Sequence, residues 1–175
     1  MPLLQQCFHV VRNAMTRHLI LLVILFTGCV QKRQADVNPD ITKITLIHED
    51  QLRIPFHWIK VTIEKKADSI IVYSTSRPSE DSSKWEYSRI DTSFTISSAS
   101  YRKLVSLVTQ ITDTDLLSSN AIIDDGTDVT ISYNDSKSEK TFNVSTPAYD
   151  SKKRKTEHFF KANMEILKIS RIPFK

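Results

Sequence analysis

The chain has 175 residues, a length that predicts one domain, and 40% of them are hydrophobic and 25% charged, an ordinary balance for a globular protein. Two of the 24 basic residues and no acidic residue precede Cys29, so the remainder carries 22 basic against 20 acidic residues and gives little support for nucleic-acid binding. Only Gly126 among glycines follows Cys29, so the domain cannot carry the glycine-rich loops that bind dinucleotides or nucleoside triphosphates.

The first predicted element is a signal peptide. Residues 19–26 read LILLVILF, an uninterrupted apolar run about half as long as the roughly 20 residues of a membrane-spanning helix. Arg17 and His18 precede this run, and a short apolar core after a positive end is typical of a secretory signal. We therefore expect residues 1–28 to be removed, and Met15 is an alternative start.

The tetrapeptide that follows, Phe26-Thr27-Gly28-Cys29, resembles the lipobox of bacterial lipoproteins, with Phe26 where leucine is commonest. The resemblance implies that cleavage follows Gly28 and that the Cys29 thiol receives a diacylglyceryl group. Two or three acyl chains anchor a protein stably where one is marginal. A cleaved signal without lipid and an uncleaved signal anchor are the alternatives. With Cys7 removed and Cys29 acylated, the mature domain would hold no disulfide and no cysteine-based site.

A polar tether is predicted over residues 29–43, followed by a single domain over residues 44–175. Alternating apolar residues indicate strands that are half buried, and turn residues separate them. The predicted strands cover residues 44–47, 56–65, 69–75, 85–96 (as one strand or two), 127–133 and 141–145.

Two helices are predicted from apolar residues at helical spacing, at residues 99–112 and 157–170. The segment Ser97-Ser98-Ala99-Ser100 supplies serine oxygens that can cap the first helix. The order of strands, helix, hairpin and helix predicts an α+β domain, in which an antiparallel β-sheet carries both amphipathic helices on one face.

The residues that could bind a metal or act as acid or base are scattered along the sequence. His48, His57 and His158 stand at no metal-ligand spacing, so structural or surface roles are expected, with metal or acid–base roles as the alternative. Residues 124–128 read DDGTD, which resembles part of a calcium loop but lacks its alternating spacing and its closing glutamate. We therefore predict no metal, no cofactor and no catalytic residue.

Aromatic residues offer a candidate ligand platform for a sugar or a peptide, with Trp58, Trp85 and Tyr87 as the principal members and Phe56 and Tyr73 as further ones. Trp58 is predicted on the strand face opposite its apolar neighbours. Packing in the core, or beneath a helix that covers the sheet, is the alternative for such residues.

A basic run at residues 152–155, KKRK, could touch phospholipid head groups, but a solvated loop before the second helix is the preferred interpretation.

From Asp125 onward the segments DGTDVTISYND, SEKTFNVSTP and FFKANMEILKIS resemble the closing hairpin and helix of small uncharacterised lipoproteins of Bacteroidota-type bacteria, over about 50 residues. The resemblance implies a place in the cell envelope, with the outer membrane, facing the periplasm or the surface, expected over the inner membrane. It implies no catalytic residue.

These observations predict a lipid-anchored envelope protein without enzymatic activity, which binds a protein or peptide partner or serves in assembly. A lipid-tethered immunity or inhibitor protein that neutralises a periplasmic toxin or enzyme is the first alternative. A hydrolase with a dispersed site is the second. No nucleic acid or nucleotide is expected as a partner.

Overall fold

The computed structural model describes residues 40–113, 126–135 and 138–173. Gly28 and Cys29, with the predicted signal peptide, lie outside the described residues. The described strands are β1 (Lys43–Asp50), β2 (Trp58–Lys65), β3 (Ile70–Arg77), β4 (Ile90–Thr95), β5 (Thr127–Asn134) and β6 (Glu139–Ser145).

The six strands form one antiparallel sheet in the order β4-β3-β2-β1-β5-β6. Strand β1 lies in the middle of the sheet, since it pairs with β2 on one side and with β5 on the other. In this register Leu46 lies opposite Val61 and Ile131, and all three side chains are fully buried. Because side chains alternate along a strand, this row fixes one face of the sheet as the core face.

Two α-helices are described, α1 (Ser98–Val108) and α2 (Glu157–Ile169). The Ser97 hydroxyl caps α1 by accepting a 3.2 Å hydrogen bond from the backbone N–H of Ser100. The buried side chains of both helices belong to one hydrophobic core with the core face of the sheet. The predicted mixed α+β class is therefore confirmed.

The folded domain begins before residue 44, where the sequence pattern predicts it. Ile41 is only 1% exposed, and the backbone N–H of Thr42 donates to the carbonyl of Asn134. Ile41 is flanked by Asp40 and Thr42, so no periodicity marks it. Hydrogen bonds connect the backbone of residues 41 and 42 to β2, β5 and α1. The last residues of the predicted tether thus belong to the domain.

The prediction of a strand from residue 85 is wrong, because residues Ser83–Ser88 form a short 3-10 helix and β4 begins only at Ile90. Ser82 caps this helix by accepting a hydrogen bond from the N–H of Lys84. Serines that cap helices also occur in strands and loops, so the sequence alone does not distinguish these structures.

The antiparallel order gives the domain two distinct ends. The chain enters at Asp40, at the end of the sheet where β1 begins, which we call the proximal end. The opposite end, the distal end, contains residues 51–57, 78–89 and 146–156, which connect strands or lead into α2. Eight residues of strand separate the two ends, or about 25 Å.

Candidate binding surface

The short 3-10 helix at the distal end is fixed to the sheet by two serine hydroxyls. Ser76, buried in β3, donates a 2.5 Å hydrogen bond to the carbonyl of Ser88, whose own hydroxyl donates to the carbonyl of Trp85 at 2.7 Å. The N–H of Ser79 also donates to the carbonyl of Ile54 at 3.0 Å, which ties this segment to the β1–β2 connection. The helix therefore has a defined position relative to its neighbours.

Two rings of this helix, those of Trp85 and Tyr87, lie close to the ring of Phe56 from the β1–β2 connection. We call these three residues the aromatic cluster. The Tyr87 ring meets the Phe56 ring edge to face, with centroids 5.9 Å apart, and lies 6.2 Å from the Trp85 ring. Phe56 is buried and Trp85 half-buried, whereas Tyr87 is 61% exposed. The cluster thus presents one large ring to solvent on a supported base.

The backbone beneath the cluster adopts an uncommon conformation. Phe56 has φ = 54°, in the left-handed region that bulky residues rarely enter. Such a conformation costs about 1–2 kcal/mol and persists where surrounding contacts enforce it, which is frequent at functional sites. Here it places the Phe56 ring under Tyr87.

Charged side chains surround the remaining edge of the aromatic cluster. The indole N–H of Trp85 donates to the Glu80 carboxylate at 3.3 Å, and the Lys84 ammonium lies 4.6 Å from the centre of the Trp85 ring. The Arg89 guanidinium pairs with Asp81 and, at 3.2 Å, with Glu86. Apolar rings surrounded by paired charges resemble the centre and the rim of a protein interface.

The predicted platform is only partly assembled. The structure brings Trp85 and Tyr87 together with Phe56, but Trp58 forms no ring contact with them among the described residues. Trp58 is half-buried on the sheet face opposite the core, where it lies across from Arg77 of β3. Tyr73 of β3 lies on the same open face, as does Thr75 two positions further along the strand. The platform therefore divides between the distal end and the open face.

Two further exposed hydrophobic residues lie at the distal end, and the sequence analysis did not single them out. Leu52, in the β1–β2 connection, is 74% exposed, and Tyr149, in the segment after β6, is 61% exposed. Neither Leu52 nor Tyr149 belongs to a periodic apolar pattern in the sequence. The strand order brings both to the end that bears Tyr87.

The chain matches no protein-family model, and no curated protein sequence matches it. Within the described ranges, no helix is long and apolar enough to cross a membrane.

The three histidines of the domain lie in different environments. His48 is only 4% exposed and belongs to the core face of β1. Burial lowers the pKa of His48 to about 4, although the Asp50 carboxylate and the Asn163 side chain act to raise it. His57 is half-buried, and its Nδ1 donates a 2.7 Å hydrogen bond to the carbonyl of Asp50. His158 is exposed on α2.

The ring of His57 also approaches an acidic side chain, since its Nε2 lies 3.5 Å from a carboxylate oxygen of Glu49. In the described part of the chain, no group of three or more His, Cys, Asp or Glu side chains is arranged to hold a metal ion.

The acidic segment that resembles a calcium loop is described only from Gly126 onward, and Asp124 and Asp125 lie outside the described residues. The Asp128 carboxylate accepts a 2.5 Å hydrogen bond from the Ser145 hydroxyl across the β5–β6 pair. This bond links neighbouring strands on the open face.

The preferred interpretation of the basic run, a solvated loop, is wrong for one of its four residues. The Arg154 side chain is buried, and its guanidinium donates to the carbonyls of Ser145, Thr146 and Tyr149 at 2.9, 2.8 and 3.3 Å. Lys152, Lys153 and Lys155 are exposed as expected. A buried guanidinium can satisfy several carbonyls at once, and this arrangement shapes the segment that presents Tyr149.

Proposed function

We propose that this chain is a lipid-anchored envelope protein that binds a protein partner through its distal end, without catalysis. The observation that carries the proposal is the exposure of Tyr87 beside the buried Phe56 ring and the half-buried Trp85 ring. Tyrosine, tryptophan and arginine are enriched at the centres of protein interfaces, where a few residues contribute most of the binding free energy.

The arrangement at the distal end supports a protein partner more than a small ligand. Leu52, Tyr87 and Tyr149 come from three separate connections that follow one another across the width of the sheet. Six strands spaced about 4.8 Å apart span about 24 Å, which is the scale of a protein contact surface. The residues that extend from this surface are large and apolar, as a protein interface requires.

The position of the distal end agrees with a protein held on a membrane by its amino-terminal part. The chain enters the domain at Asp40, at the opposite end of the sheet. An anchor on Cys29 would therefore leave the aromatic cluster free to meet a partner. This part of the proposal also rests on the resemblance of residues 26–29 to a lipobox.

The binding proposal is tested by site-specific photo-crosslinking in the bacterium that produces the protein. A photoreactive phenylalanine replaces Tyr87 in one strain and Tyr73, an exposed tyrosine on the open sheet face, in a matched strain. We expect a discrete adduct from position 87 and none from position 73. No adduct at position 87, or equal adducts at both positions, would contradict the proposal.

A second variant tests whether the partner binds through the aromatic cluster or merely lies close to the probe. With the probe at position 52, Trp85→Ala should remove most of the adduct, because it takes away the ring beside Tyr87. Lys153→Ala, an exposed change elsewhere at the distal end, should leave the adduct in place. Mass spectrometry of the adduct then distinguishes an assembly partner from a toxin or enzyme that this chain would neutralise.

The anchor is tested separately by intact-mass analysis of the mature protein. We expect a chain that begins at Cys29 and carries diacylglyceryl and acyl groups. Residues 15–28 still attached, or an unmodified residue 29, would contradict the proposed anchor but not the binding surface.

A further inference from the structure

A groove of about 620 Å³ opens between α1 and α2 on the side of the helices that faces away from the sheet. Its floor is apolar and its rim is charged. The floor is formed by Leu107, Phe160, Met164, Leu167 and Ile172.

Part of this floor is accessible to solvent, although Leu167 and Ile172 are buried. Met164 is 47% exposed, and Phe160 and Leu107 are half-buried. An amphipathic helix of a globular domain ordinarily directs its apolar stripe to the core and polar residues to the solvent. Here α2 buries Phe159 and Ile166 in the core and still presents Phe160 and Met164 on the outside.

The rim of the groove is predominantly basic. Lys103 pairs with Glu165 across the two helices at 2.8 Å. Lys161 and Lys168 also line the groove, and neither takes part in an ion pair with another described residue. The exposed or half-exposed charges on and beside the two helices are Arg102, Lys103, Lys161, Lys168 and Arg171 against Glu157 and Glu165. The helical surface therefore carries an excess of positive charge around an apolar floor.

We propose that this groove is a membrane-contact site, which rests on a surface of anionic phospholipid. Lysine side chains extend an apolar stem and keep the ammonium group at the head-group level, while apolar residues between them enter the acyl boundary. Each basic residue near an anionic bilayer contributes favourably to adsorption. The residues on the floor and the rim match this division. The contact would be interfacial, with the helices lying along the surface.

The point where the chain enters the domain is compatible with this orientation. The Tyr101 hydroxyl of α1 donates to the carbonyl of Ile41, so Asp40 lies beside the first turn of the helical layer. Ten residues lie between Cys29 and Asp40, so the eleven steps from one Cα to the next reach at most about 40 Å. This reach is longer than helix α2, which has 13 residues and a length of about 20 Å. The proposal uses the envelope location proposed above for its context, but the contact itself depends only on the groove.

The test measures adsorption to vesicles and uses the full chain with Cys29→Ser, so that no acyl group contributes. Partition is measured on vesicles of phosphatidylcholine and on vesicles of an equimolar mixture with phosphatidylglycerol. The ratio of the two partition coefficients cancels any contribution of the apolar segment 19–26, which does not depend on lipid charge. Lys161→Gln/Lys168→Gln is compared with Lys152→Gln/Lys153→Gln, which removes the same charge from exposed lysines at the distal end.

We expect the unsubstituted chain to prefer anionic vesicles and to lose this preference at high salt. The groove variant should lower the partition ratio about tenfold or more, and the distal control less than about twofold. Met164→Gln should weaken adsorption to both kinds of vesicle, because it removes an inserted apolar group rather than a charge. All these positions are exposed, so circular dichroism and thermal unfolding should stay unchanged.

Three outcomes would overturn the proposal. One is the absence of any preference for anionic vesicles, and another is an equal loss in the groove variant and the distal control. The third is a dimer of the unsubstituted chain in sedimentation experiments without lipid, if the groove substitutions prevent this dimer and the control substitutions do not. That result would assign the groove to a second copy of the chain. None of these measurements involves the partner bound at the aromatic cluster, so this test and the crosslinking test can fail independently.

Discussion

The Tyr101 hydroxyl donates a 2.5 Å hydrogen bond to the carbonyl of Ile41, sixty residues earlier in the chain. Both residues are buried, and this bond attaches the start of the domain to the first helix. Burial, with a smaller contribution from the Asp40 carboxylate, raises the pKa of Tyr101 to about 12, so the hydroxyl remains a donor at neutral pH. We expect Tyr101→Phe to lower the free energy of unfolding by about 1–2 kcal/mol, because a buried carbonyl loses its partner.

Urea denaturation at neutral pH checks this value, with Tyr73→Phe as the matched control. Tyr73 is exposed on the open sheet face, so its substitution should change the free energy of unfolding by less than about 0.5 kcal/mol. Equal effects of the two substitutions would show that the Tyr101 bond contributes nothing specific.

The burial of His48 should make the stability of the domain depend on pH. The unfolded chain binds a proton at this residue near its ordinary pKa of 6.5, whereas in the folded domain the pKa is about 4. Between these values the unfolded state binds more protons, so the free energy of unfolding falls as the pH falls. The full loss from this residue is about 3 kcal/mol.

The His48→Gln variant should therefore be less sensitive to acid than the unsubstituted protein. We expect the slope of the free energy of unfolding against pH, between pH 6.5 and 4, to decrease by the contribution of about one proton. His158→Gln, on the exposed side of α2, serves as the control and should leave the slope unchanged. An identical slope in all three proteins would contradict the origin proposed for the pH dependence.

Asn163 of α2 should be energetically coupled to His48, because its side chain acts to raise the pKa of the buried imidazole. Asn163 and His48 are both buried, so the interaction between their polar groups is shielded from water. A double-mutant cycle of His48→Gln and Asn163→Ala should give a coupling free energy of about 1 kcal/mol. The pair His48→Gln and Lys161→Ala, with Lys161 on the outer side of the helix, should be additive, and coupling of equal size in both cycles would argue against a specific contact.

The parts of the fold that the sequence predicts are those governed by local periodicity. The β5–β6 hairpin is found where the alternation of Val129, Ile131, Phe142 and Val144 predicts it, because one wet face and one buried face produce that pattern directly. Helix α1 is found from its apolar spacing, although it ends at Val108 rather than at residue 112. Its last turn is closed by the Thr109 hydroxyl, which donates to the carbonyl of Val105 at 2.9 Å.

The features that the sequence does not reveal depend on contacts between distant segments. The 3-10 helix accepts a hydrogen bond from the Ser76 hydroxyl in β3, and the carbonyl of the buried Ile41 accepts one from Tyr101. For the candidate site, aromatic composition singles out Trp85 and Tyr87. It cannot show that Trp58 lies apart from them, since that separation follows from the register of β2 against β3.

Arg154 illustrates the same limit, because a basic run favours a solvated loop and gives no sign that one guanidinium turns inward. Three residues close to it adopt positive φ angles, at a cost of about 1–2 kcal/mol each. The bonds from Arg154 to the carbonyls of Ser145, Thr146 and Tyr149 oppose that cost. The residues with positive φ are Thr146, Asp150 and Lys155.

We therefore expect Arg154→Lys to lower the free energy of unfolding by about 2 kcal/mol, even though it preserves the charge. A lysine ammonium lacks the planar fork that reaches several carbonyls, so at least one partly buried acceptor would lose its donor. Lys153→Arg, at an exposed neighbour, should have no measurable effect. Urea denaturation measures the stability, and limited proteolysis should show faster cleavage within residues 146–156 of the Arg154 variant. If Arg154→Lys is as stable and as resistant to cleavage as the unsubstituted protein, charge alone accounts for the role of this residue, and the carbonyl contacts do not shape the segment that carries Tyr149.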